Sequence, residues 1–338
     1  MKSPEDVIDL STLYLRIYFC GMPAQMVYNF GAAILRATGD TRRPLYYLVI
    51  AGVVNVLLNL LLVLVFRLGV VGVAVATVAS EFLSCLLTVR CLLRCNGAYR
   101  LPRGKLHFSR PIFLQMLHIG LPAGIQGSLF SISNVIIQSS INSFGAAVVA
   151  GNAAAASLEG FGYCCQDSVC QATVAAASQC MGARKYDRVR SVTVVCNILS
   201  VFASMVPYAV ILLLRYPLLH AYTAEAEAVE AGVVRLFYLG ALYFTAGFMG
   251  VMTGVLRGYG YSVLPTSITL VGVCGFRLVW IFTVFARFHD LRLLYSCYPI
   301  SWTLTAIGLF IAYFALRKKA VELNEARYRA EYAEAETH

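Results

Sequence analysis

Long apolar stretches alternate with short polar ones along almost the whole chain. A helix needs about 20 apolar residues to cross the hydrocarbon core of a bilayer, and about nine stretches approach or exceed that length. They run Leu13–Thr38, Leu45–Phe66, Val70–Leu93, Ile112–Ser140, Val148–Cys180, Ser191–Leu214, Val229–Leu256, Val263–Ala286 and Leu293–Leu316. The pattern predicts an all-α, polytopic membrane protein with about nine transmembrane helices. Pro23, Pro122, Pro207 and Pro299 fall inside these stretches. Proline is tolerated in a spanning helix where neighbours satisfy the freed carbonyl, and it often kinks the helix.

Charge is concentrated in the connections. Arg90, Arg94, Arg100, Arg103, Lys105 and Arg110 fill one segment; Arg184, Lys185, Arg188 and Arg190 fill a second; Arg42 and Arg43 lie in a third. Arg317, Lys318 and Lys319 follow the last stretch. Poorer connections alternate with these. Arg67 stands alone, no Lys or Arg lies between Ser140 and Val148, and Arg215 precedes the acidic residues Glu225, Glu227 and Glu230. Arg287 and Arg292 fit the alternation less well. The positive-inside rule then places the basic connections and the C-terminus in the cytoplasm of a cell-membrane protein. An odd number of spans puts the N-terminus outside, yet MKSPEDVIDL is polar and too short for a signal peptide's apolar core. A further set of helices upstream is the more natural expectation. The expected organisation is residues 1–93 as the remainder of an N-terminal lobe, 94–111 as a basic cytoplasmic linker, 112–316 as a C-terminal lobe and 317–338 as a charged cytoplasmic tail. Intermixed Glu and Arg make that tail a solvated helix or a frayed end.

Composition narrows the classes further. The hydrophobic set makes up 59% and charged residues only 13%, where a soluble domain carries about 25% charged residues. Too few charges exist to coat a water-facing surface, which excludes an ordinary cytosolic enzyme, a disordered chain and a secreted disulfide scaffold. The net charge of +10 is spread between apolar stretches and forms no single basic face, so no nucleic-acid partner is expected. The 11 cysteines sit mostly within apolar stretches. The groupings Cys91/Cys95 and Cys164/Cys165/Cys170 lack metal-site spacing, and they read as small buried hydrophobes with free thiols.

An internal repeat is present. Ile34-Leu35-Arg36-Ala37-Thr38-Gly39 with Pro44 recurs as Val255-Leu256-Arg257-Gly258-Tyr259-Gly260 with Pro265. Leu-Arg, Gly and Pro keep the same spacing, and each copy ends one apolar stretch and opens the next. The physical reading is an Arg at the carbonyl end of a helix dipole, a Gly stop and a Pro at the start of the following helix. Repeated halves build many secondary transporters, with the substrate cavity between them.

Several motifs in order then resemble one family. They are Tyr14-Leu15-Arg16-Ile17, Gly21-x-Pro23, Tyr28-Asn29, Leu35-Arg36-x-x-Gly39-Asp40-Thr41-x-x-Pro44, Gly72-Val73-Ala74-Val75-Ala76-Thr77, Gly120-Leu121-Pro122, Asn142-x-Phe144-Gly145 and Gln179-Cys180-Met181-Gly182-Ala183. Across Leu13 to Leu316 the chain resembles the MATE (multidrug and toxic compound extrusion) transporters, with Cys180 where the family has Asn. The resemblance implies a twelve-helix protein of two six-helix lobes, of which this chain would hold helices four to twelve. A truncated or incomplete gene product, or a natural short form, would account for the odd span count.

Ionisable and amide groups inside the membrane are costly and are the default functional candidates. Asn55 and Asn59 lie one turn apart on one face. In the family's proton-coupled branch a polar pair at this spacing, often Asn then Asp, joins an acid of the first helix. The alternative is an interhelical hydrogen-bond pair, worth about 1 kcal/mol. Glu159 and Asp167 lie in the fifth stretch, with Gln166 two turns from Glu159 on nearly the same face. Glu159 is the first candidate to bind an organic cation or a proton, ahead of Asp167; the alternative is a packing acid paired with an Arg or a backbone group. Arg277 is a possible counter-charge. Tyr28 and Asn29 join the candidates through their motif. The family's sodium-coupled branch carries acids in helices seven and ten. Here Phe130 stands near the first position and Glu230 lies only at the edge of the other stretch, which argues against a sodium site in this lobe. Glu81 and the lone His118 read as structural, and Met249 and Met252 as packing residues.

The leading function is a secondary antiporter that exports cationic or amphipathic drugs in exchange for H+ or Na+ by alternating access. No Walker loop appears for ATP, and no cofactor is expected. The expected partners are small organic cations and the lipid bilayer, with the chain monomeric. A lipid-linked oligosaccharide flippase of the same superfamily is the alternative, with a cavity richer in Arg and Lys. A nonfunctional fragment is another. A membrane enzyme would need clustered catalytic groups, whereas the 5 histidines are scattered.

Overall fold

The computed structural model describes residues 5–95, 99–101 and 108–336. Arg103, Lys105 and His107 of the basic segment, His338 and the first four residues lie outside the described residues. Among the described residues every regular element is helical. The chain divides into two compact units, Met1–Phe108 and Ser109–His338.

The first unit contains α1 (Glu5–Ala37), α2 (Arg42–Leu60, prolonged by a π turn over Leu61–Val65) and α3 (Gly69–Arg94). Both α1 and α2 pack on α3. The buried residues of α3 include Gly72, Ala74, Ala76, Ser80, Ser84 and Thr88. Small side chains let helix axes approach closely, which is the main source of association where lipid supplies no hydrophobic drive between helices. Pro23 sits inside α1 without ending it.

The second unit contains α4 (Arg110–Asn142), α5 (Ala146–Gly182), α6 (Tyr186–Leu213), the short α7 (Arg215–His220), α8 (Ala226–Gly240) and α9 (Tyr243–Gly258). Helix Val263–Phe288 follows, interrupted by π segments at Leu270–Gly275 and Ile281–Phe285, and then the C-terminal helix Leu291–Glu336. α5 packs along α6, α8 and α9, and the C-terminal helix packs on α8 and α9. Tyr208, Tyr243, Tyr295 and Trp302 are buried at the centre. The Tyr208 and Tyr243 rings lie 4.6 Å apart, and Trp302 meets Tyr243 edge-on at 5.6 Å.

Among the described residues 6 helices are long and apolar enough to cross a membrane, or 7 if α8 and α9 form one bent span. The expectation of about nine is therefore not met by that criterion. The 33-residue α1 and the 37-residue α5 are continuous helices over the expected stretches. They fall short in apolar character: α5 carries Asn152, Glu159, Gln166, Asp167 and Gln171 along its middle, and α1 carries Arg16, Gln25 and Asn29. The stretch Val229–Leu256 is broken, since α8 and α9 meet at 48°. The break follows Gly240, which lies so close to the Tyr208 ring that a Cβ there would overlap it. Outward-facing side chains are strongly apolar. Leu64, Val271 and Phe282 are 67%, 70% and 71% exposed, which suits contact with lipid and not water.

Both copies of the sequence repeat adopt one geometry. Gly39 and Gly260 each have φ of 90°. Asp40 N donates to Leu35 O at 2.9 Å, and Tyr261 N to Leu256 O at 3.0 Å. That six-to-one bond with a left-handed residue inside it is the Schellman stop, which glycine enters without steric cost. Pro44 and Pro265 then stand at the third position of the following helix, where no intrahelical donor is lost.

The charged tail is more than a frayed end. Its helix runs on to Glu336. Asn324 Nδ2 donates to Met181 O at 3.0 Å and to the Tyr186 hydroxyl at 3.1 Å. The Arg184 guanidinium stacks 4.3 Å over the Tyr328 ring. The tail thus clasps the turn between α5 and α6.

Candidate functional site

A cavity of about 610 Å³ opens within the second unit. Residues of α4, α5, α8, α9, helix Val263–Phe288 and the C-terminal helix line it, Gln126, Glu159, Asp167, Arg235, Arg257 and Arg277 among them. Phe130, Tyr163, Tyr243, Tyr298 and Trp302 supply aromatic wall.

The wall is built on a stripe of α5. Asn152, Glu159, Gln166 and Thr173 recur every seventh residue, so they share one face of the helix. Glu159 is gripped from α8. Arg235 Nε donates to Glu159 Oε1 at 2.9 Å, and Arg235 Nη2 donates to Oε2 at 2.7 Å. This is a bidentate, nearly buried pair, the geometry in which Arg binds carboxylate most strongly. Arg235 Nη1 donates to Asn152 Oδ1, which also accepts from the Tyr295 hydroxyl at 3.2 Å. Asn152 Nδ2 donates to Gln138 Oε1 at 3.1 Å. One network therefore ties α4, α5, α8 and the C-terminal helix.

This corrects the expectation for Arg277. Arg277 is not the partner of Glu159; Arg235 is. Arg277 instead lies 4.1 Å over the Tyr298 ring and donates from Nε to Ser301 Oγ at 3.2 Å. Asp167, half-buried on the cavity wall, forms no ion pair among the described residues. Gln166 is buried, and its Oε1 has no hydrogen-bond partner. At the repeated turn, Arg257 Nη2 donates to Gln126 Oε1 at 2.8 Å, with Thr266 Oγ1 at 3.3 Å from the same oxygen. Phe130 and Met249 line the cavity, while Met252 is fully buried beside Asn197.

The remaining candidates lie in the first unit. Asn59 Nδ2 donates to Asn55 Oδ1 at 3.0 Å, and Asn55 Nδ2 donates to Ser80 Oγ of α3 at 3.2 Å. Asn59 Oδ1 is buried without a partner, two residues before the π segment that prolongs α2. The Tyr28 hydroxyl donates to Pro44 O at 3.2 Å and so holds α1 to the start of α2. Asn29, its neighbour, is exposed. Glu81 Oε2 is buried without a partner, against Gly21 of α1. His118 lies on the exposed surface of α4.

The residue that sequence reasoning missed is Arg235. Its signal was present: a lone cation in Val233-Val234-Arg235-Leu236-Phe237 is as anomalous as Glu159 in its own stretch. Asn152 was missed as well, because its role depends on which helix faces α5.

An all-helical, multi-pass membrane protein with a polar-lined cavity inside its bundle has the construction of a secondary transporter. The chain belongs to the MatE family, whose model matches residues 1–61 and 122–283, more than half of it. Members of this family are transporters, not enzymes. Over 331 residues the chain is 26% identical to probable multidrug resistance protein YoeA of Bacillus subtilis, covering 95% of this chain and 71% of that one. It is 27% identical over 272 residues to probable multidrug resistance protein YpnP of the same organism, covering 80% and 60%. The chain thus spans 60% of the length of one of these relatives and 71% of the other. The crystal structure of a mutant of the Vibrio cholerae MATE transporter VcmN superposes with a TM-score of 0.83 at 19% identity, covering 94% of this chain and 72% of that chain.

Proposed function

We propose that the chain works as a secondary antiporter that exports amphipathic small molecules, organic cations among them, in exchange for H+ or Na+ by alternating access. The observation that carries this reading is the cavity of the second unit. Its wall joins aromatic faces to Asp167, an acid with no ion-pair partner among the described residues. Aromatic rings accept varied apolar ligands and attract cations over their faces. A carboxylate that either a cation or a coupling ion can occupy, but not both, links the two flows. Glu159 is less suited to that exchange, because Arg235 already occupies both its oxygens. The names of the relatives, multidrug resistance proteins, favour export of drugs over an oligosaccharide flippase. The same reading makes the protein a monomer of the plasma membrane with a cytoplasmic C-terminus, and it needs no cofactor beyond the coupling ion.

The test is dye movement in proteoliposomes. Ethidium should cross when a proton or sodium gradient is imposed and stop when that gradient is collapsed. Asp167→Asn should slow this movement by about tenfold or more, equivalent to about 1.4 kcal/mol of differential interaction. Movement that ignores both gradients would refute antiport, and an unaffected Asp167→Asn would remove this acid from the exchange.

A further inference from the structure

Three arginines and two acids line the cavity: Arg235, Arg257 and Arg277 against Glu159 and Asp167. Glu159 and Arg235 neutralise each other. Of the rest, Arg277 is the most deeply enclosed, at 4% exposure. It sits between the two π segments of its helix. Local π geometry is concentrated at functional sites because it re-aims a side chain that a regular helix would point elsewhere.

The guanidinium is fixed on one edge and open on the other. Its Nε donates to Ser301 Oγ, whose own proton goes to Tyr298 O at 2.8 Å, so the serine is held in place as an acceptor. The flat face rests on Tyr298 at 4.1 Å, with the Trp302 ring 5.8 Å away. The two terminal nitrogens donate to no group among the described residues, and no acid lies within salt-bridge distance. A guanidinium stays charged at any physiological pH, and its terminal edge is a fork that matches two oxygens of one carboxylate or phosphate. Burying such a cation without a counter-ion is costly. No acid among the described residues supplies the counter-charge, so an anion from solution can, and the aromatic floor beside it favours a ligand with a ring.

We propose that Arg277 binds the carboxylate or phosphate group of an aromatic amphipath held in this cavity. This deepens the transport reading by adding anionic aromatic amphipaths to the cargo that the cavity accepts, and it rests on that reading only for treating the ligand as cargo. Binding can be measured on the purified full chain in non-ionic detergent without any transport. The chain has 2 tryptophans, and Trp280→Phe leaves Trp302, on the cavity wall, as the only reporter. Nitroaromatics quench tryptophan, so 4-nitrobenzoate, 4-nitrophenyl phosphate and 4-nitrobenzylammonium offer one ring with different charges.

In the Trp280→Phe background at least one anion should bind about tenfold or more tightly than the ammonium compound. The better of the two anions tells carboxylate from phosphate. Arg277→Gln should abolish that preference, and Arg277→Lys should keep part of it. Equal or tighter binding of the ammonium compound overturns the proposal and leaves amphipath transport standing, as does anion binding that Arg277→Gln does not weaken. Absence of quenching by all three compounds overturns the proposal, and the dye-movement test decides the transport reading on its own. Should Arg277→Gln fail to fold, the wild-type charge preference and Arg277→Lys decide.

Discussion

The helices that follow the two copies of the repeated turn begin alike and carry different chemistry. After Gly39, α2 presents Asn55 and Asn59, neutral amides bonded to each other and to Ser80. After Gly260, helix Val263–Phe288 presents Arg277 beside a unit already crossed by the Glu159–Arg235 pair. The stop, the glycine and the proline are shared because backbone geometry alone demands them. Side chains beyond the turn are under no such demand, and the two units have diverged there: the first keeps its Arg43–Asp40 ion pair at the surface and joins its buried faces by dipoles, whereas the second buries a charge pair. In a medium of low dielectric the second kind is stronger when complete and far more damaging when broken.

The sharpest way to break this comparison is to remove one charge. Arg235→Met leaves Glu159 buried with neither of its two donors and takes a donor from Asn152. Breaking a buried pair from one side costs about 3–5 kcal/mol. With the other cysteines replaced, a thiol-reactive dye can follow unfolding in detergent through the buried Cys274 and Cys297 of this unit. The variant should label at a much lower temperature than wild type. The double variant Glu159→Met with Arg235→Met should recover most of that loss, since it removes both charges. A single variant no worse than the double would mean that the pair contributes nothing beyond its packing.

Much of the scaffold was legible beforehand. Hydropathy located most of the helices, since a span must be long and apolar whatever its neighbours, although α1 and α5 carry enough polar residues to fall short by that criterion. The repeated Leu-Arg-x-x-Gly was legible because a left-handed residue at a helix stop strongly favours glycine. The bend after Gly240 was not, because it depends on the Tyr208 ring that packs there and no proline marks it. Glu159 was legible as an anomaly in its stretch, but its partner was not. Arg277 and Arg235 are both lone cations in apolar sequence, and only the packing of α8 against α5 makes Arg235 the one in reach. The tail failed for a similar reason. Alternating Glu and Arg read as solvated, while the two residues that fasten it, Asn324 and Tyr328, are uncharged.

A smaller effect is expected from the amides of the first unit. Asn55→Leu removes the bonds to Ser80 and Asn59 but leaves no charge unpaired. Interhelical bonds of this kind are worth about 1 kcal/mol. Labelling of Cys95, buried in the same unit, should begin only slightly earlier than in wild type. A loss as large as that of Arg235→Met would show that this pair bears more than dipoles, and would return Asn59 to the centre of the coupling question.

The smallest effect, and one of opposite sign, should come from Glu81. It is the acid that the first unit buries against Gly21, and its Oε2 has no partner. A carboxylate left in that position pays for desolvation without a compensating bond, whereas an amide of the same shape is cheaper to bury and brings two donors. Glu81→Gln should therefore leave the unit as stable as before or raise its stability by up to about 1 kcal/mol. The onset of Cys95 labelling should move upward or not at all. If it falls by several degrees instead, the carboxylate is ionised and engaged in the folded protein, and the first unit holds a charge bound as firmly as that of Glu159. The contrast between dipoles in one unit and charges in the other would then collapse, and Glu81 would replace Asn59 as the residue of that unit to test for coupling.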